Sequence, residues 1–285
     1  MVENTQTVES IIQQFNIPTR PEALSKFAKE ATNPNCSLEK LSNILRQDVN
    51  LMAALLQLVN SPFLGISREI TSADQAIALL GVPRCLSLVR AVSIRARLGE
   101  QPELPRFWDS ATETAYLCER ISILLTGLNS EYAYTSGLFS NCGIPLMMQA
   151  FDDYPDLLRE ANHSLQPLTW LENDRYNLTH CRIGYELALF WQLPKAVCET
   201  IHLDPIYDDV IEGKIKTDEL TPGLLAILQL AKQVSAQFRR AWRVYDAKSD
   251  QDISPNVLST LALTEASYSD LQDQLLNELT IESKE

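Results

Sequence analysis

Positive charge, glycine and long apolar runs are all scarce in this sequence. Lys and Arg number 24 against 37 Asp and Glu, for a net charge of −13. Such a surface repels phosphate backbones and anionic lipid, so neither nucleic acid nor membrane is expected as a partner. Only nine of the 285 residues are glycine, and strand-like alternation is rare, which argues against a sheet protein. No apolar run is long enough to span a bilayer. The opening from Met1 to Gln6 has neither the basic nor the apolar region of a signal peptide, so a cytoplasmic location is expected. The six cysteines, at positions 36, 85, 118, 142, 181 and 198, form no C-x-x-C pair. In a reducing compartment they read as buried free thiols, and nothing in the sequence singles out one as reactive.

What is present is helical punctuation. Ser37 precedes Leu38, Leu41, Ile44 and Leu45, an apolar stripe at helical spacing. Asp48 suits the cap of a helix carrying Met52, Leu55, Leu56 and Val59, which Asn60, Ser61 and Pro62 end. Ser72 and Gln75 have capping-box spacing, Gly81 suits a left-handed helix end, and Pro83 suits the first turn of a helix reaching about Leu98. Pro105 opens a helix with Phe107, Trp108, Ala111, Ala115, Cys118, Ile121 and Leu125 on one broad apolar face. Ser130 suits the cap of the next helix, which reaches Phe139, and Thr169 with Glu172 makes another capping-box candidate. His180, Gly184, Leu187 and Trp191 share a helical face, and Pro194 opens a helix containing Val197 and Ile201. The acidic stretch from Asp204 to Leu220 reads as a loop. Thr221 and Pro222 then start a strongly amphipathic helix, and Ser254 with Pro255 opens the last one or two.

Gly99 to Pro105 reads as a hinge, and Asp246 to Asp252 as a polar linker. The expected architecture is all-α. A helical subdomain spans residues 1–100, a helical bundle 101–215, and a helical extension 216–285.

Several segments in this order resemble the HDOD family. Ile17-Pro18-Thr19-Arg20-Pro21 is similar to its opening stretch. Asp48 to Leu51, running on to Asn60 and Ser61, is similar to its Asp-Pro-x-Leu helix ending in Asn-Ser, and Ile70 to Gly81 holds its Ile-Thr-Ser-x-x-x-Ala-Ile-x-x-Leu-Gly pattern intact. The likeness runs from about Ile17 to about Leu203. It implies an HD-like helical bundle of the kind found in metal-dependent phosphohydrolases, where an adjacent His-Asp pair binds a divalent metal that polarises phosphate and activates water.

The corresponding segment here is Gly137 to Gly143, with Ser140 in place of the histidine and Asn141 in place of the aspartate. The earlier histidine of the pattern falls near Ser110, and the later His-His pair becomes His202-Leu203, so that only His180 survives beside His202. A hydroxyl and a neutral amide bring neither charge nor imidazole to a metal that needs several ligands including carboxylate. The resemblance therefore implies a pseudoenzyme with no catalytic residue, no metal and no cofactor. It implies a regulatory role in bacterial signal transduction, exerted by binding a signalling protein, with a small-molecule ligand as a further option. The competing reading is a metal-dependent phosphohydrolase or phosphodiesterase of the HD superfamily.

Each feature also has a plain structural reading. His180 and His202 are relics of a pocket or ordinary half-buried histidines, and the ordinary reading is preferred. His163 reads as an exposed loop residue, and Asp109 as a charge serving its helix dipole. Arg84, Arg90, Arg95 and Arg97 share one helix and read as a solvated face. Asn60 reads as a structural side chain that satisfies backbone groups at a helix end. Phe238, Trp242 and Tyr245 read as core.

Overall fold

Side-chain oxygens begin the helices at most of the places the sequence indicates. The computed structural model describes residues 21–60, 66, 69–98, 104–242 and 253–282. Ile17 to Arg20, Ser61 and Pro62, the hinge residues 99–103, Tyr245 and the linker 246–252 lie outside the described residues. Among the described residues every regular element is a helix, and no helix is long and apolar enough to cross a membrane.

Contacts divide the chain into two units, one built on Pro18–Thr112 with Asn277–Glu285, the other on Glu113–Leu276. The first holds α1 (Glu22–Ala31), α2 (Leu38–Arg46), α3 (Val49–Val59), α4 (Ala73–Leu80) and α5 (Val82–Leu98). The caps of α2, α3 and α4 are Ser37, Asp48 and Ser72, each accepting a backbone N–H three residues on. Gln75 closes its box one residue further out than expected, accepting the N–H of Thr71 at 2.9 Å. Leu24, Phe27, Leu41, Leu45, Leu55 and Ile77 are sealed from solvent between α1, α2, α4 and α5 and the α3 face. Each such side chain contributes about 1.5–3 kcal/mol by its burial. Leu38, at the edge of the α2 stripe, is exposed. Gly81 has a positive φ of 77° but an extended ψ, so it ends α4 without the left-handed helical turn expected.

Asn60 works as a bracket. Its Nδ2 donates to the Ile70 carbonyl at 2.8 Å, and its Oδ1 accepts the Ile70 N–H at 2.8 Å. Ile70 is buried, so removing the bracket strands both of its backbone groups. Asn60→Ala is expected to lower stability by about 2–3 kcal/mol. Asn60→Asp, which keeps only the acceptor, should fall between. Urea denaturation checks this, and a loss below about 0.5 kcal/mol would mean that water replaces the bracket freely.

The division between the units falls within α6 (Leu104–Ile121), on which Trp108, Ala111, Ala115, Cys118 and Ile121 are buried as the apolar pattern predicts. A π-helical turn, Ser122–Thr126, follows and ends at Gly127 in the left-handed conformation. The second unit continues with α7 (Ser130–Phe139), α8 (Ile144–Ala150), α9 (Tyr154–Ala161), α10 (Leu168–Tyr176), α11 (His180–Phe190), α12 (Lys195–Leu203), α13 (Tyr207–Ile211), α14 (Thr221–Trp242), α15 (Pro255–Thr260) and α16 (Glu265–Glu282), the last of which crosses back into the first unit's residues.

Three expectations need correction here. The cap of α7 is Asn129, not Ser130, and its side chain accepts the N–H groups of Glu131 and Tyr132. The cap position of α10 is Pro167, with no side-chain bond, so Thr169 and Glu172 form no capping box. The acidic stretch after α12 is not all loop: it contains a 3-10 turn, Asp204–Ile206, and then α13. Asp208 and Asp209 lie in the first turn of α13, where carboxylates favour the helix dipole.

Helix α12 is the central element of this unit and packs against α7, α11 and α14. Val197 and Ile201 on α12 and Leu224, Leu228, Ala231 and Val234 on α14 are fully buried. Polar bridges fix α14 at several levels. The buried Glu113 accepts from Ser235 Oγ and from both Nε and Nη2 of Arg239 at 3.2 Å. Asp204 accepts from Gln229 Nε2 at 2.7 Å and pairs with Lys232, and this carboxylate outweighs burial to keep the Lys232 ammonium charged. Glu199 accepts the N–H of Asp218 at 2.7 Å and the hydroxyl of Thr221 at 2.8 Å at the start of α14. At the far end, Asp208 accepts from Ser254 Oγ at 2.6 Å and from Asn256 Nδ2 at 3.3 Å, which ties α15 to α13.

Candidate functional site

Helix α7 is buried almost throughout and delivers the segment Gly137 to Gly143 into the second unit. Two glycines make this possible. A Cβ on Gly137 would lie 2.7 Å from the Ala115 Cα, and one on Gly143 would lie 2.0 Å from the His180 carbonyl oxygen. Neither position has room for any side chain, so backbone meets backbone at both ends of the segment. Gly143 is thereby seated on the first residue of α11.

Ser140 is buried, and its hydroxyl donates to the Gly137 carbonyl at 3.0 Å. The Ser140 hydroxyl is therefore turned back on its own helix. Asn141 is half-buried, and Cys142 is buried with its Sγ 3.7 Å from the Gly184 carbonyl. Ser110 lies half-buried on α6 among the first unit's residues.

His180 is held by groups the sequence did not connect to it. Its Nδ1 lies 2.8 Å from Oε2 and 2.9 Å from Oε1 of Glu172, and its backbone N–H donates to the same carboxylate at 3.0 Å. Tyr154 donates its hydroxyl to Glu172 as well. Glu172 is fully buried, so these donors replace its lost hydration. On the other side of the ring, Nε2 lies 3.4 Å from Cys181 Sγ. Burial opposes charge on His180, but the Cys181 sulfur and the Glu172 carboxylate outweigh it, and its pKa is pushed up to about 10. Burial and Glu172 raise the Tyr154 phenol further, so it stays protonated and donates.

His202 occupies a different environment. Its ring stacks on Tyr185, with centroids 4.6 Å apart and planes 26° apart, and its buried Nδ1 has no hydrogen-bond partner. Burial and the nearby Arg182 guanidinium hold its pKa below the usual histidine value, so the ring is neutral near pH 7. Arg182 sits 5.8 Å from the Tyr185 centroid and pairs at 2.7 Å with Glu186, whose fully buried carboxyl is pushed up by burial against the pull of Arg182. Among the described residues His180 and His202 share no partner. His163 and Asp109 are exposed, Arg84 and Arg90 are half-buried, and Phe238 is buried.

The residues at this place do not fit a divalent metal. Among the described residues, no three His, Cys, Asp or Glu side chains converge on a point that could hold one. The Ser140 hydroxyl is already committed to the Gly137 carbonyl. Glu172 was invisible as a partner of His180 because its spacing from Thr169 satisfied a purely local reading. The eight-residue separation from His180 crosses from α10 to α11. The approach of Gly143 to α11 had a signal, a glycine in the Ser-Asn-Cys-Gly turn, but not its target.

Comparison with known proteins follows the same lines. A family model described as the HDOD domain matches residues 17–204. A protein of Treponema pallidum (strain Nichols), described as uncharacterized, is 27% identical over 208 residues, covering 70% of this chain and 40% of that protein. The chain thus spans about two fifths of that relative's length. Among solved structures, a protein from Marinobacter aquaeolei VT8 assigned to signal transduction superposes with a TM-score of 0.74 at 17% identity, covering 96% of this chain and 60% of that one. A protein from Shewanella amazonensis SB2B assigned as a phosphohydrolase gives 0.68 at 18% identity, covering 95% and 97% of the two chains. An HDOD domain protein of unknown function from Geobacter sulfurreducens gives 0.65 at 18%, covering 96% and 97%. At these identities the structures establish a shared all-helical fold.

Proposed function

Because the chain belongs to the HDOD family, we propose that it is a regulatory protein of bacterial signal transduction that keeps the scaffold of a phosphohydrolase without its chemistry. One observation supports the reading: the buried Ser140 hydroxyl, which the sequence resemblance sets at the central ligand pair, is spent on the Gly137 carbonyl. Beside it, Asn141 supplies an uncharged amide. A hydrolytic metal centre needs carboxylate to balance the ion and an open coordination position to generate hydroxide. Neither requirement is met by this pair. The protein then acts by binding a signalling partner in the cytoplasm and shifting that partner's state, with a small molecule as a possible co-ligand.

The test is a hydrolysis assay with Mn, Mg, Fe and Ni in turn, on phosphomonoesters, nucleotides and cyclic dinucleotides. No metal-dependent turnover above a buffer blank is expected, and elemental analysis of protein purified without chelator or metal-affinity tag should find no stoichiometric transition metal. Turnover that co-purifies with the chain and disappears in His202→Ala would establish the competing hydrolase reading. That variant is suitable because the His202 ring makes no hydrogen bond whose loss could unfold the protein.

A further inference from the structure

Large apolar side chains that reach a protein surface usually do so singly and in part. The hairpin of α9 and α10 departs from this at its tip. Leu165, in the loop joining the two helices, is 89% exposed, the highest value for any large apolar side chain among the described residues. Trp170, in the first turn of α10, is 49% exposed. Pro167, between them at the cap of α10, is exposed as well. A fixed backbone holds these groups out. The N–H groups of His163 and Ser164 both donate to the Glu160 carbonyl at 2.9 Å, and Ser164 Oγ accepts the Gln166 N–H at 3.0 Å. The Trp170 N–H donates to the Pro167 carbonyl at 3.0 Å.

Next to this apolar tip the hairpin is acidic. Asp152, Asp153, Asp156, Glu160 and Asp174 are exposed, against the guanidiniums of Arg159 and Arg175. Both guanidiniums are occupied: Arg159 pairs with Asp156, and Arg175 reaches Glu160 at 2.6 Å and Asp153 at 3.6 Å. Glu160 lies in the last turn of α9, beside the loop. Asp174 lies four residues beyond Trp170 on α10, which sets the two on one face of that helix. Carboxylates from both helices therefore border the apolar groups.

We propose that the tip of the α9–α10 hairpin is the surface on which the chain receives its partner, and that the segment received is a basic amphipathic helix. Its apolar side chains cover Leu165 and Trp170, and its flanking lysines or arginines face Glu160 and Asp174. This rests on the reading of the chain as a regulator that works through a partner, and it gives that partner a chemistry. Charge decides among the occupants. A second copy would bring the same carboxylates against these, in a chain of net charge −13. Nucleic acid and anionic lipid are repelled by the same field, whereas a cationic segment is drawn to it. Tryptophan is enriched among the few residues that dominate binding energy. A loop whose backbone is already ordered loses little freedom on docking, so more of the contact energy remains for affinity.

The probe is a fluorescently labelled synthetic peptide of leucine and lysine patterned as an amphipathic helix. A leucine–glutamate peptide of the same pattern is its counterpart. Each is titrated with the full chain and followed by anisotropy. The lysine peptide is expected to bind and the glutamate peptide to stay free. Leu165→Ser and Trp170→Ala should each weaken binding at least about fivefold. Leu38→Ser, at an exposed leucine of the first unit, should leave it unchanged. Added salt should weaken binding to the native chain more than to Asp174→Asn. Leu165 is so exposed that its serine variant keeps the fold, so the decision does not depend on Trp170→Ala. The proposal is overturned if the glutamate peptide binds as tightly, if Leu165→Ser binds like the native chain, or if sedimentation shows a dimer that Leu165→Ser dissociates. The hydrolysis assay stands apart from this test. A chain without turnover that also leaves the lysine peptide free loses this surface and keeps its regulatory reading, whereas metal-dependent turnover overturns that reading itself.

Discussion

Gly143→Ala is expected to cost at least about 4 kcal/mol, or to abolish cooperative folding altogether, well beyond the usual effect of one methyl group. The added Cβ would lie 2.0 Å from the His180 carbonyl oxygen, 2.8 Å from its carbon and 2.9 Å from the Gly184 N. All three neighbours are backbone of α11, and none can rotate aside. The turn would have to lift off α11, opening the contacts of Cys142 and the packing of α8 on α11 with it. Gly223→Ala provides the control. Its Cβ would meet only the end of the Leu128 side chain, at 2.7 Å, and that side chain can change rotamer. About 1 kcal/mol is expected there. Guanidinium denaturation of the two variants separates the cases, and equal losses would show that the contact at His180 relaxes easily.

Glu172→Ala is expected to cost about 3–5 kcal/mol, because it strands a buried charged imidazole together with the Tyr154 hydroxyl and the His180 N–H. The pH dependence gives a sharper signature. The His180 pKa is raised from 6.5 to about 10 on folding, so the folded state binds its proton more tightly than the unfolded chain does. The resulting stabilisation is complete below about 6.5 and is lost as pH rises through about 10. One proton corresponds to a slope of up to about 1.4 kcal/mol per pH unit in that window. Glu172→Gln keeps the shape and removes the carboxylate that, with the Cys181 sulfur, holds the proton, so its stability profile should be flatter over the same window. Parallel urea titrations at several pH values read this directly. Identical slopes in the wild type and Glu172→Gln would show that the pair does not carry the proton.

What the sequence made legible was local. Ser37, Asp48 and Ser72 cap their helices as expected because the acceptor and its N–H lie three residues apart. The amphipathic stripes of α6 and α14 were readable for the same reason, since one period decides one face. The turn of the Ser140 hydroxyl onto the Gly137 carbonyl was not legible, because a serine in a helix gives no sign of which way its hydroxyl faces. The misreadings arose where local and distant partners compete. Glu172 satisfied a capping pattern with Thr169, yet the carboxylate gains more from three donors in a buried junction than from one N–H at an exposed helix start. Asp208 and Asp209 looked like loop residues by composition, but they stabilise the first turn of α13, and Asp208 has donors 46 and 48 residues away. His180 and His202 looked like a pair in the sequence. They differ in structure because one faces a carboxylate and the other a guanidinium, and the two are driven to opposite charge states.

The Asp208 contacts also change how the last part of the second unit is attached. Helix α15 buries Val257 and Leu258 against α14, and its cap residues Ser254 and Asn256 bond to α13 through Asp208, with Asn256 also reaching Glu212 at 2.9 Å. An apolar anchor with a polar rim is the anatomy of a bound peptide. In those terms α15 is an intramolecular ligand and the α13–α14 surface is its receptor. Helix and groove belong to one chain, so the site is filled at an effective concentration that a free peptide would have to supply from solution.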